Sequence, residues 1–544
     1  MGLRATRAPT SNEPCAISIP PERSWKHLPP KPQSGYYAAM HRILAYIVTA
    51  SALLLSAPTP SQQPLTLERV QEIAARAAER FEPIGFALSV VQDGDVLAEV
   101  AFGALGDGRE MTPTSLCNIA SCSKAFTAAA VAMLVEEKLL DWDDRVAEHL
   151  PEFRMSDAWI TSRMTIRDLL CHRCGLKTFA GDLLWYGTDY TDDEVIRRMA
   201  KLPITQEFRA DFGYQNLMYL VAGKIVERKT GKTWSEFVQA RLLTPLGMQN
   251  SRPAAQELPD DAERALPHID GEVVPDHEFV ACKPAAAIYS SVHELTAWMR
   301  MLLGGGAWHG RQLLTPAVLM EMWRPHTNLA RNGSGAGTED FRSYGLGWFL
   351  SLERGKKVVE HDGGMPGFLS KVSLMPAEKF AFAVLNNSND GVLNEAIKRA
   401  LYTERAGGDG LAVVDRLAQI KQRIDRRNAA AVAAREAKRR TGTHPSHELA
   451  AYAGDYLDAI YGPARVTLGD DGTLSLVLLP AQRRLFGTMH HWHDDTFRVD
   501  FPDKFLPFAL VSFELNSASE VVGMHIDCPI ADFDFGALDF RRQD

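Results

Sequence analysis

Positions 118 to 126 of the chain read Asn118-Ile119-Ala120-Ser121-Cys122-Ser123-Lys124-Ala125-Phe126, and an Ala-rich stretch with apolar residues at helical spacing follows up to Leu134. Residues three apart share one face of a helix, so the amine of Lys124 can lie beside the hydroxyl of Ser121. A serine hydroxyl is a weak nucleophile until a neighbouring base removes its proton. Burial can lower the pKa of a lysine enough for it to be that base. The stretch therefore predicts a nucleophilic serine at the start of a buried helix.

A serine followed by a lysine three residues later is, taken alone, equally typical of an exposed helix start. Two further groups appear later in the chain. Tyr214-Gln215-Asn216 precedes an amphipathic segment, and His361-Asp362-Gly363-Gly364 begins a block of strand-like sequence. Each has a structural explanation of its own, as a core aromatic, a helix cap or a turn. It is the ordered set that favours a catalytic site.

With these three groups in this order, the chain resembles the β-lactamase-related serine hydrolase superfamily. That superfamily includes class C β-lactamases, penicillin-binding DD-peptidases, D-aminopeptidases and some esterases, and its members carry S-x-x-K, Y-x-N and a K/H-x-G triplet. The resemblance covers about residues 65–405 and is supported by further stretches at 139–144, 165–172, 243–248 and 344–348. It implies an α/β (α+β) fold, in which an antiparallel sheet is flanked by helices and faces a helical lobe across the active site.

The resemblance also implies residue roles. Ser121 would attack a carbonyl group and form an acyl-enzyme. Lys124 and Tyr214 would share the general-base and proton-shuttle work, a division that is disputed in related enzymes. Asn216 would bind Lys124 and a substrate carbonyl, for which its amide offers both a donor and an acceptor. No cofactor and no metal is expected.

The third group would hold the substrate. The backbone N–H groups of Ser121 and Gly364 would bind the oxyanion, on a strand where glycine, including Gly363, permits close approach. Many β-lactamases carry Lys-Thr-Gly where this chain has His361-Asp362-Gly363. A lysine there is a permanent cation, whereas histidine is mostly neutral at pH 7 and binds a carboxylate weakly. His361 therefore favours ester or peptide substrates over efficient hydrolysis of β-lactams.

A competing nucleophile lies next to Ser121. Cys122 is displaced by one residue and so falls off the helix face that carries Lys124.

Cys171 and Cys174 have metal-ligand spacing, but no second pair accompanies them. A cluster of His490, His491, His493, Asp494 and Asp495 is explained equally well by an exposed polar turn. Neither group predicts a metal site.

The length and net charge of the chain limit the number of domains and the class of partner that can be expected. The chain has 544 residues, 46% of them hydrophobic, and a net charge of −9. Two or more domains are expected at this length. The acidic balance argues against a nucleic-acid partner and leaves a small-molecule or peptide substrate, with the oligomeric state open.

The N-terminal region contains a predicted targeting signal. An apolar run from Ile43 to Leu55 follows a basic pair and precedes small residues, as in a secretory signal peptide. We assign 40–57 as the signal peptide and 1–39 as a disordered or mis-assigned extension before Met40. A secreted or periplasmic protein without stable membrane insertion is expected after cleavage. The alternative is an uncleaved anchor in a chain that starts at Met1.

The rest of the chain divides into three predicted parts. The hydrolase domain, 65–405, begins with an amphipathic helix and a hairpin through Asp93-Gly94, continues through a helix-rich middle, and ends in strands at 344–352, 368–375 and 380–385. Early and late strands in one domain imply a single sheet built from both ends. Residues 406–445 read as a solvated helical linker. Residues 446–544 read as a small all-β sandwich or barrel, with a hairpin through Asp471-Gly472.

Two classes of function remain. The first is a hydrolase acting on an ester, a D-amino-acid peptide or a β-lactam. The second is a catalytically silent protein that binds peptidoglycan fragments. The presence of Ser121, Lys124, Tyr214 and Asn216 together favours the enzyme.

Overall fold

The structure is a computed structural model and describes residues 64–329 and 341–544. The predicted signal peptide and N-terminal extension lie outside these residues. The α-helices in the described ranges are α1 (Leu67–Phe81), α2 (Ser123–Glu136), α3 (Val146–His149), α4 (Ala158–Arg163), α5 (Ile166–Leu170), α6 (Asp192–Met199), α7 (Asn216–Thr230), α8 (Trp234–Val238), α9 (Thr244–Leu246), α10 (Lys283–Ala286), α11 (Val292–Leu303), α12 (Pro316–Met322), α13 (Gly391–Arg405) and α14 (Gly410–Glu436). None of these helices is both long enough and apolar enough to cross a membrane.

The strands in the same ranges are β1 (Gly85–Gln92), β2 (Asp95–Gly103), β3 (Cys117–Asn118), β4 (His268–Ile269), β5 (Glu272–Val273), β6 (Tyr289–Ser290), β7 (Ala307–Trp308), β8 (Arg311–Gln312), β9 (Thr327–Asn328), β10 (Ser343–Tyr344), β11 (Phe349–Glu353), β12 (Lys356–Met365), β13 (Phe368–Met375), β14 (Phe380–Asn386), β15 (Gly454–Asp458), β16 (Gly462–Leu468), β17 (Leu474–Leu478), β18 (Phe486–His493), β19 (Thr496–Val499), β20 (Ala509–Leu515), β21 (Val521–Asp527) and β22 (Phe540–Arg542).

The large sheet contains strands from both ends of the hydrolase domain, in the order β2-β1-β14-β13-β12-β11-β10-β9. Its strand pairs are antiparallel. β1 and β2 form the predicted hairpin, and β1 pairs on its other side with β14, so that Phe86 lies opposite Asn386. The predicted α/β (α+β) fold, with one antiparallel sheet formed from early and late strands, is confirmed.

The prediction of one strand over 344–352 was wrong. β10 ends at Tyr344 and β11 begins only at Phe349. Gly347 between them has a φ of +79°, and a Cβ on Gly345 would lie 2.2 Å from the carbonyl oxygen of Met322. A turn that depends on glycine therefore divides the strand. β12 also begins earlier than expected, so His361 lies within a strand and does not open one.

The helix that follows Ser121 lies at the centre of the hydrolase domain. α2 is buried from Ser123 to Leu134, as expected for an apolar helix covered on all sides. The ring of Phe126 stacks on that of Trp298 in α11, with centroids 4.1 Å apart. α11 packs against β1 and β14, while α2 contacts α7 of the helical lobe. The segment carrying Ser121 and Lys124 thus lies between the sheet layer and the lobe.

The predicted linker is helical, but its first half is not solvated. Val413, Val414, Leu417 and Ala418 of α14 are buried, and the helix packs against α13 and α1. The burial of these apolar residues makes the start of α14 part of the hydrolase core. Most residues of α14 beyond position 420 are exposed, as expected for a linker.

The C-terminal part is a closed barrel of strands β15 to β22. β22 pairs with both β15 and β21, which closes the sheet and leaves no free edge between them. Alternate residues point inward, as shown by the buried side chains of Leu474, Leu476 and Leu478 in β17. A sandwich or a barrel was predicted for this domain, and the structure shows a barrel.

The barrel packs directly on the helical lobe. The hydroxyl of Tyr190 donates to the carbonyl oxygen of Tyr461 at 3.1 Å, and the backbone N–H of Asp189 donates to the carbonyl oxygen of Pro480 at 2.9 Å. A Cβ on Gly462 would lie 2.2 Å from the Tyr190 hydroxyl oxygen. The approach of the two domains therefore requires glycine at position 462.

Candidate active site

Ser121 lies in a single 3₁₀ turn, Ala120–Cys122, that leads into α2. Ala120 has a φ of +46°, a left-handed conformation that costs a residue with a Cβ about 1–3 kcal/mol. Its backbone N–H donates to the side-chain oxygen of Asn118 at 2.6 Å. This hydrogen bond helps to hold the turn, which leaves the Ser121 side chain partly accessible while its neighbours are buried.

The side chain of Lys124 is fully buried and has three polar contacts. Its Nζ lies 3.0 Å from the Oγ of Ser121, 2.7 Å from the Oδ1 of Asn216 and 2.9 Å from the carbonyl oxygen of Ala285. Because the ammonium form loses its hydration inside the protein, burial lowers the pKa of Lys124 to about 7. The 3.0 Å distance between the Nζ of Lys124 and the Oγ of Ser121 is the contact that the sequence predicted.

The three contacts of Lys124 define the direction of its lone pair. The carbonyl oxygens of Asn216 and Ala285 can only accept hydrogen bonds. A neutral amine has two N–H groups, and these two carbonyls therefore take both. The lone pair is left for the hydroxyl of Ser121, which then donates its hydrogen bond to the amine. This is the arrangement that removal of the serine proton requires.

Asn216 connects the lysine to a buried carboxylate. Its Nδ2 donates to the Oδ2 of Asp182 at 2.6 Å, while the Nε1 of Trp185 donates to the Oδ1 of the same carboxylate at 3.0 Å. Burial raises the pKa of Asp182 to about 7, although these two donors oppose the shift. Among the described residues, Asp182 thus takes one of the two N–H groups of the Asn216 amide.

Asp182 and the Ala285 carbonyl were not predicted. Asp182 begins the short segment Asp182-Leu183-Leu184-Trp185-Tyr186, but Asp is seldom buried unless it is paired, so the sequence pattern does not indicate its burial. The carbonyl of Ala285 carries no signal in the sequence, because a backbone group has the same chemistry at every position.

Tyr214 lies beside the lysine. The Nζ of Lys124 is 4.8 Å from the centroid of the Tyr214 ring, close enough for a cation–π contact when the amine is protonated. The ring of His172 packs at 4.2 Å from that of Tyr214, and the Nδ1 of His172 accepts a hydrogen bond from the backbone N–H of Gln215 at 3.0 Å. His172 thus holds the backbone next to Tyr214, a contact that was not predicted.

His361 is buried and both of its ring nitrogens are used. Its Nδ1 lies 2.6 Å from the carbonyl oxygen of Asp362, which can only accept, so Nδ1 carries the proton. Its Nε2 then accepts from the hydroxyl of Tyr344 at 2.8 Å. Burial lowers the pKa of His361 to about 3, so the ring is neutral at pH 7. The side chain packs behind the wall of the cavity described below and is not part of its lining.

Of the two predicted glycines, Gly363 is the one at which a side chain would clash. A Cβ there would lie 2.2 Å from the Oγ of Ser370 and 2.3 Å from the carbonyl oxygen of Ile119. A Cβ on Gly364 would meet only Leu369, at 3.3 Å. Close approach of β12 to the turn that carries Ser121 therefore depends on Gly363.

Cys122 points away from the cavity. Its Sγ lies 3.2 Å from the carbonyl oxygen of His361 and 3.3 Å from the Oγ of Ser370. Burial raises the pKa of the thiol to about 12, so the nucleophilic thiolate is scarce at neutral pH.

The cavity that contains Ser121 has about 1100 Å³ of empty space, including its open mouth. Its polar wall includes Ser121, Asp182, Tyr214, Asn216 and the β12 segment 362–365. A largely apolar wall comes from the lobe and the barrel, and consists of Phe179, Trp185, Tyr186, Phe505 and Phe533. The site was predicted between the lobe and the sheet, but the barrel also lines it.

Charge in the cavity is predominantly negative. Among the described residues that line it, the carboxylates are those of Asp182, Asp362, Glu395 and Asp532, and the only cation is Lys371. The Nζ of Lys371 pairs with Asp362 and lies 3.7 Å from Glu395. Burial alone would lower the pKa of Lys371, but these carboxylates outweigh it and raise the pKa.

The cysteine and histidine groups singled out in the sequence lie away from this cavity. Cys171 and Cys174 are buried free thiols. Within residues 64–329 and 341–544, no three His, Cys, Asp or Glu side chains are arranged to hold a metal ion. The Nε2 of His491 donates to the carbonyl oxygen of Asp494, and the carboxylate of Asp495 accepts from Tyr452 and Ser446.

Comparison with known protein families gives two matches. Residues 73–406 match the Beta-lactamase family, and residues 438–543 match a domain of unknown function (DUF3471). Unguisins hydrolase of Aspergillus violaceofuscus is 26% identical over 478 residues, which cover 78% of this chain and 81% of that protein. The corresponding hydrolase of Aspergillus campestris is 26% identical over 334 residues, which cover 58% of this chain and 60% of that protein.

Two further proteins, one bacterial and one archaeal, are also similar to this chain. Penicillin-binding protein 4 of Amycolatopsis lactamdurans is 31% identical over 332 residues, covering 57% of this chain and 84% of that protein. The octameric penicillin-binding protein homologue from Pyrococcus abyssi shares the fold, with a TM-score of 0.56 at 20% identity over 87% of this chain and 99% of that chain. Because the Beta-lactamase match spans more than half of the sequence, the chain belongs to the β-lactamase-related serine hydrolase superfamily.

Proposed function

We propose that this protein hydrolyses esters or peptide-like amides through an acyl-enzyme on Ser121. The observation that carries the proposal is the position of the Lys124 amine, whose two other partners are carbonyl oxygens. Such an amine has its lone pair directed at the serine hydroxyl. Its lowered pKa, about 7, makes the neutral form available at physiological pH.

The reaction begins when the Oγ of Ser121 attacks the carbonyl carbon and its proton passes to the Nζ of Lys124. The substrate oxygen becomes an oxyanion, held by the backbone N–H groups of Ser121 and Gly364. Collapse of the tetrahedral intermediate breaks the bond to the leaving alcohol or amine, which takes the proton from Lys124 with Tyr214 as shuttle. Water then attacks the acyl-enzyme, loses a proton by the same route, and releases the carboxylic acid and Ser121.

Two features favour esters and peptides over β-lactams. His361 is neutral and lies outside the cavity lining. Lys371, the one cation among the described lining residues, is already paired with Asp362. A carboxylate such as that of a β-lactam therefore has no unpaired cation in the described lining to bind. The name of the Aspergillus relatives, unguisins hydrolases, is consistent with hydrolytic chemistry.

Covalent labelling with a fluorophosphonate probe tests the nucleophile. Wild-type protein should be labelled on the peptide that contains Ser121, and Ser121→Ala should not be labelled. Cys122→Ala is the matched control, since it removes the neighbouring thiol and leaves the serine in place, and it should be labelled like the wild type. Absence of labelling in folded wild-type protein would contradict the proposal and favour a silent protein that binds peptidoglycan fragments.

Substrate preference is tested with a p-nitrophenyl ester and a chromogenic cephalosporin side by side. The ester should be turned over with the higher kcat/KM, and Ser121→Ala should lose activity on both. A higher kcat/KM for the cephalosporin would overturn the preference while leaving the nucleophile intact.

A further inference from the structure

The helix α14, which runs from the hydrolase core towards the barrel, carries a row of exposed arginines. In the described parts of the chain, these side chains have no ion pair and no hydrogen bond; they are Arg416, Arg423, Arg426 and Arg427. The other basic side chains of the helix are paired, Lys421 with Asp425 and Arg435 with Asp527. We call the four unpaired residues the arginine stripe.

The arginine stripe lies on the face of α14 that is turned away from the hydrolase core. Residues 416, 423 and 427 fall within about 40° of one another around the helix axis, because 7 and 11 residues are close to whole numbers of turns. Arg426 lies beside them. The buried side chains of Val414 and Ala418 are on the opposite face. At 1.5 Å per residue, the stripe extends over about 16 Å.

The acidic side chains of α14 do not neutralise the arginine stripe. Each of them pairs with a basic residue outside the stripe: Asp415 with Arg80, Asp425 with Lys421, and Glu436 with Arg498. The stripe is therefore a local row of positive charge on a chain whose net charge is −9. Neighbouring like charges on a helix repel each other, and an anionic partner would relieve this repulsion.

The start of α14 lies beside the start of α1, where the chain enters the described structure. Arg69 of α1 pairs with Asp409, the N-cap residue of α14, at 3.3 Å. The predicted apolar run, Ile43–Leu55, ends 12 positions before Leu67, the first residue of α1. A chain of that length spans at most about 40 Å. If the run is an uncleaved anchor, a bilayer therefore lies within that distance of the helix that carries the stripe.

We propose that the arginine stripe binds the phosphate groups of an anionic phospholipid bilayer and attaches the protein to a membrane surface. A guanidinium group can donate two parallel hydrogen bonds to one phosphate, which makes arginine better suited to phosphodiesters than lysine. Each basic residue near an anionic surface strengthens binding about fivefold, so four amount to about 500-fold. This surface does not depend on the chemistry at Ser121.

Sedimentation of the full-length protein with lipid vesicles tests the proposal. One set of vesicles is phosphatidylcholine alone, and the other contains about 30% phosphatidylglycerol, both at low salt. Binding to the neutral vesicles measures any contribution of the apolar run, so the ratio of the two binding constants isolates the effect of charge. This ratio should be about 500-fold and should fall steeply with added salt. In Arg423→Gln/Arg427→Gln it should be about 25-fold smaller.

Two further double variants separate position from total charge. Arg423→Lys/Arg427→Lys keeps both charges and should retain most of the ratio. Lys232→Gln/Arg311→Gln removes the same charge from exposed residues outside α14 and should bind within about twofold of the parent, because distant surface charges are screened. Circular dichroism should show that each variant is folded.

Three results would overturn the membrane assignment. The first is a ratio near one for the parent protein. The second is an equal loss in Arg423→Gln/Arg427→Gln and in Lys232→Gln/Arg311→Gln, or no loss in either. The third is self-association without vesicles, seen by analytical ultracentrifugation in the parent but not in Arg423→Gln/Arg427→Gln. It would assign the stripe to an acidic surface on a second copy of the chain.

Discussion

The carboxylate of Asp182 is connected to the amine of Lys124 through a single side chain, the amide of Asn216, by hydrogen bonds of 2.6 and 2.7 Å. All three side chains are buried. The amide orientation follows from its partners, because the carboxylate attracts the amide N–H and the amine donates to the amide oxygen. This connection holds the amine of Lys124 beside the hydroxyl of Ser121. It also makes the pKa of Lys124 sensitive to the charge on Asp182.

Replacing the amine should remove most of the activity. Lys124→Met has nearly the same volume but cannot accept the proton of Ser121, and kcat/KM for a p-nitrophenyl ester should fall by about 10²- to 10⁴-fold. Circular dichroism should show that the variant is folded, since methionine fills the space of the buried chain. Activity within twofold of the wild type would contradict the role of Lys124 as base.

The dependence of activity on pH should report the titration of Lys124. Burial lowers the pKa of this amine from 10.5 to about 7, and only the neutral form can accept the serine proton. Protonation therefore inactivates the enzyme at low pH, and kcat/KM should rise through an apparent pKa near 7 before it levels off. An ordinary lysine would place this rise near pH 10, and such a result would contradict the effect of burial.

Removing the charge of Asp182 should move this rise to lower pH. The negative charge of Asp182 favours the protonated form of Lys124. Asp182→Asn should therefore lower the apparent pKa of kcat/KM, by roughly one unit. If the rise reported Asp182 itself, the variant would lose the rise altogether, so the pH profile of Asp182→Asn distinguishes the two groups.

The site residues that could be predicted are those with distinctive side-chain chemistry at a fixed spacing. Ser121 and Lys124 share a helix, and their contact follows from the helical repeat. The hairpin through Asp93-Gly94 is marked by two apolar runs joined at a turn signal, and strands of the barrel such as β17 are marked by alternating residues.

The parts that could not be predicted depend on contacts between distant segments. The carbonyl of Ala285 reaches Lys124 across 161 residues, and no pattern marks one backbone carbonyl among many. The burial of Val413 and Leu417 depends on their packing against α1, which the basic composition of the segment conceals. Asp532 lines the cavity because of the way the two domains pack together. No pattern in the sequence indicates how two domains pack.

The approach of β12 to the turn that carries Ser121 predicts a difference between two adjacent glycines. Gly363→Ala would place its Cβ against Ile119 and Ser370, at 2.3 and 2.2 Å, and should reduce the free energy of unfolding by about 1–3 kcal/mol. Gly364→Ala has its nearest contact at 3.3 Å and should cost less. The midpoint of urea unfolding measures both. Equal losses would show that the strand can shift away from the turn at no cost.

At the contact between the barrel and the lobe, the buried hydroxyl of Tyr186 should contribute more to the free energy of unfolding than an exposed ion pair does. Tyr186 donates to the Oδ2 of Asp503 at 2.7 Å, and Arg484 pairs with the same oxygen at 3.0 Å. Tyr186→Phe removes a hydrogen bond to a buried carboxylate and should reduce the free energy of unfolding by about 1.5–3 kcal/mol. Lys504→Met removes the exposed pair with Glu272, also between the domains, and should cost at most about 1 kcal/mol. Unfolding in urea, followed by fluorescence and circular dichroism, compares the two. A larger loss for Lys504→Met would mean that surface charge, and not the buried contact at Tyr186, holds the barrel on the lobe.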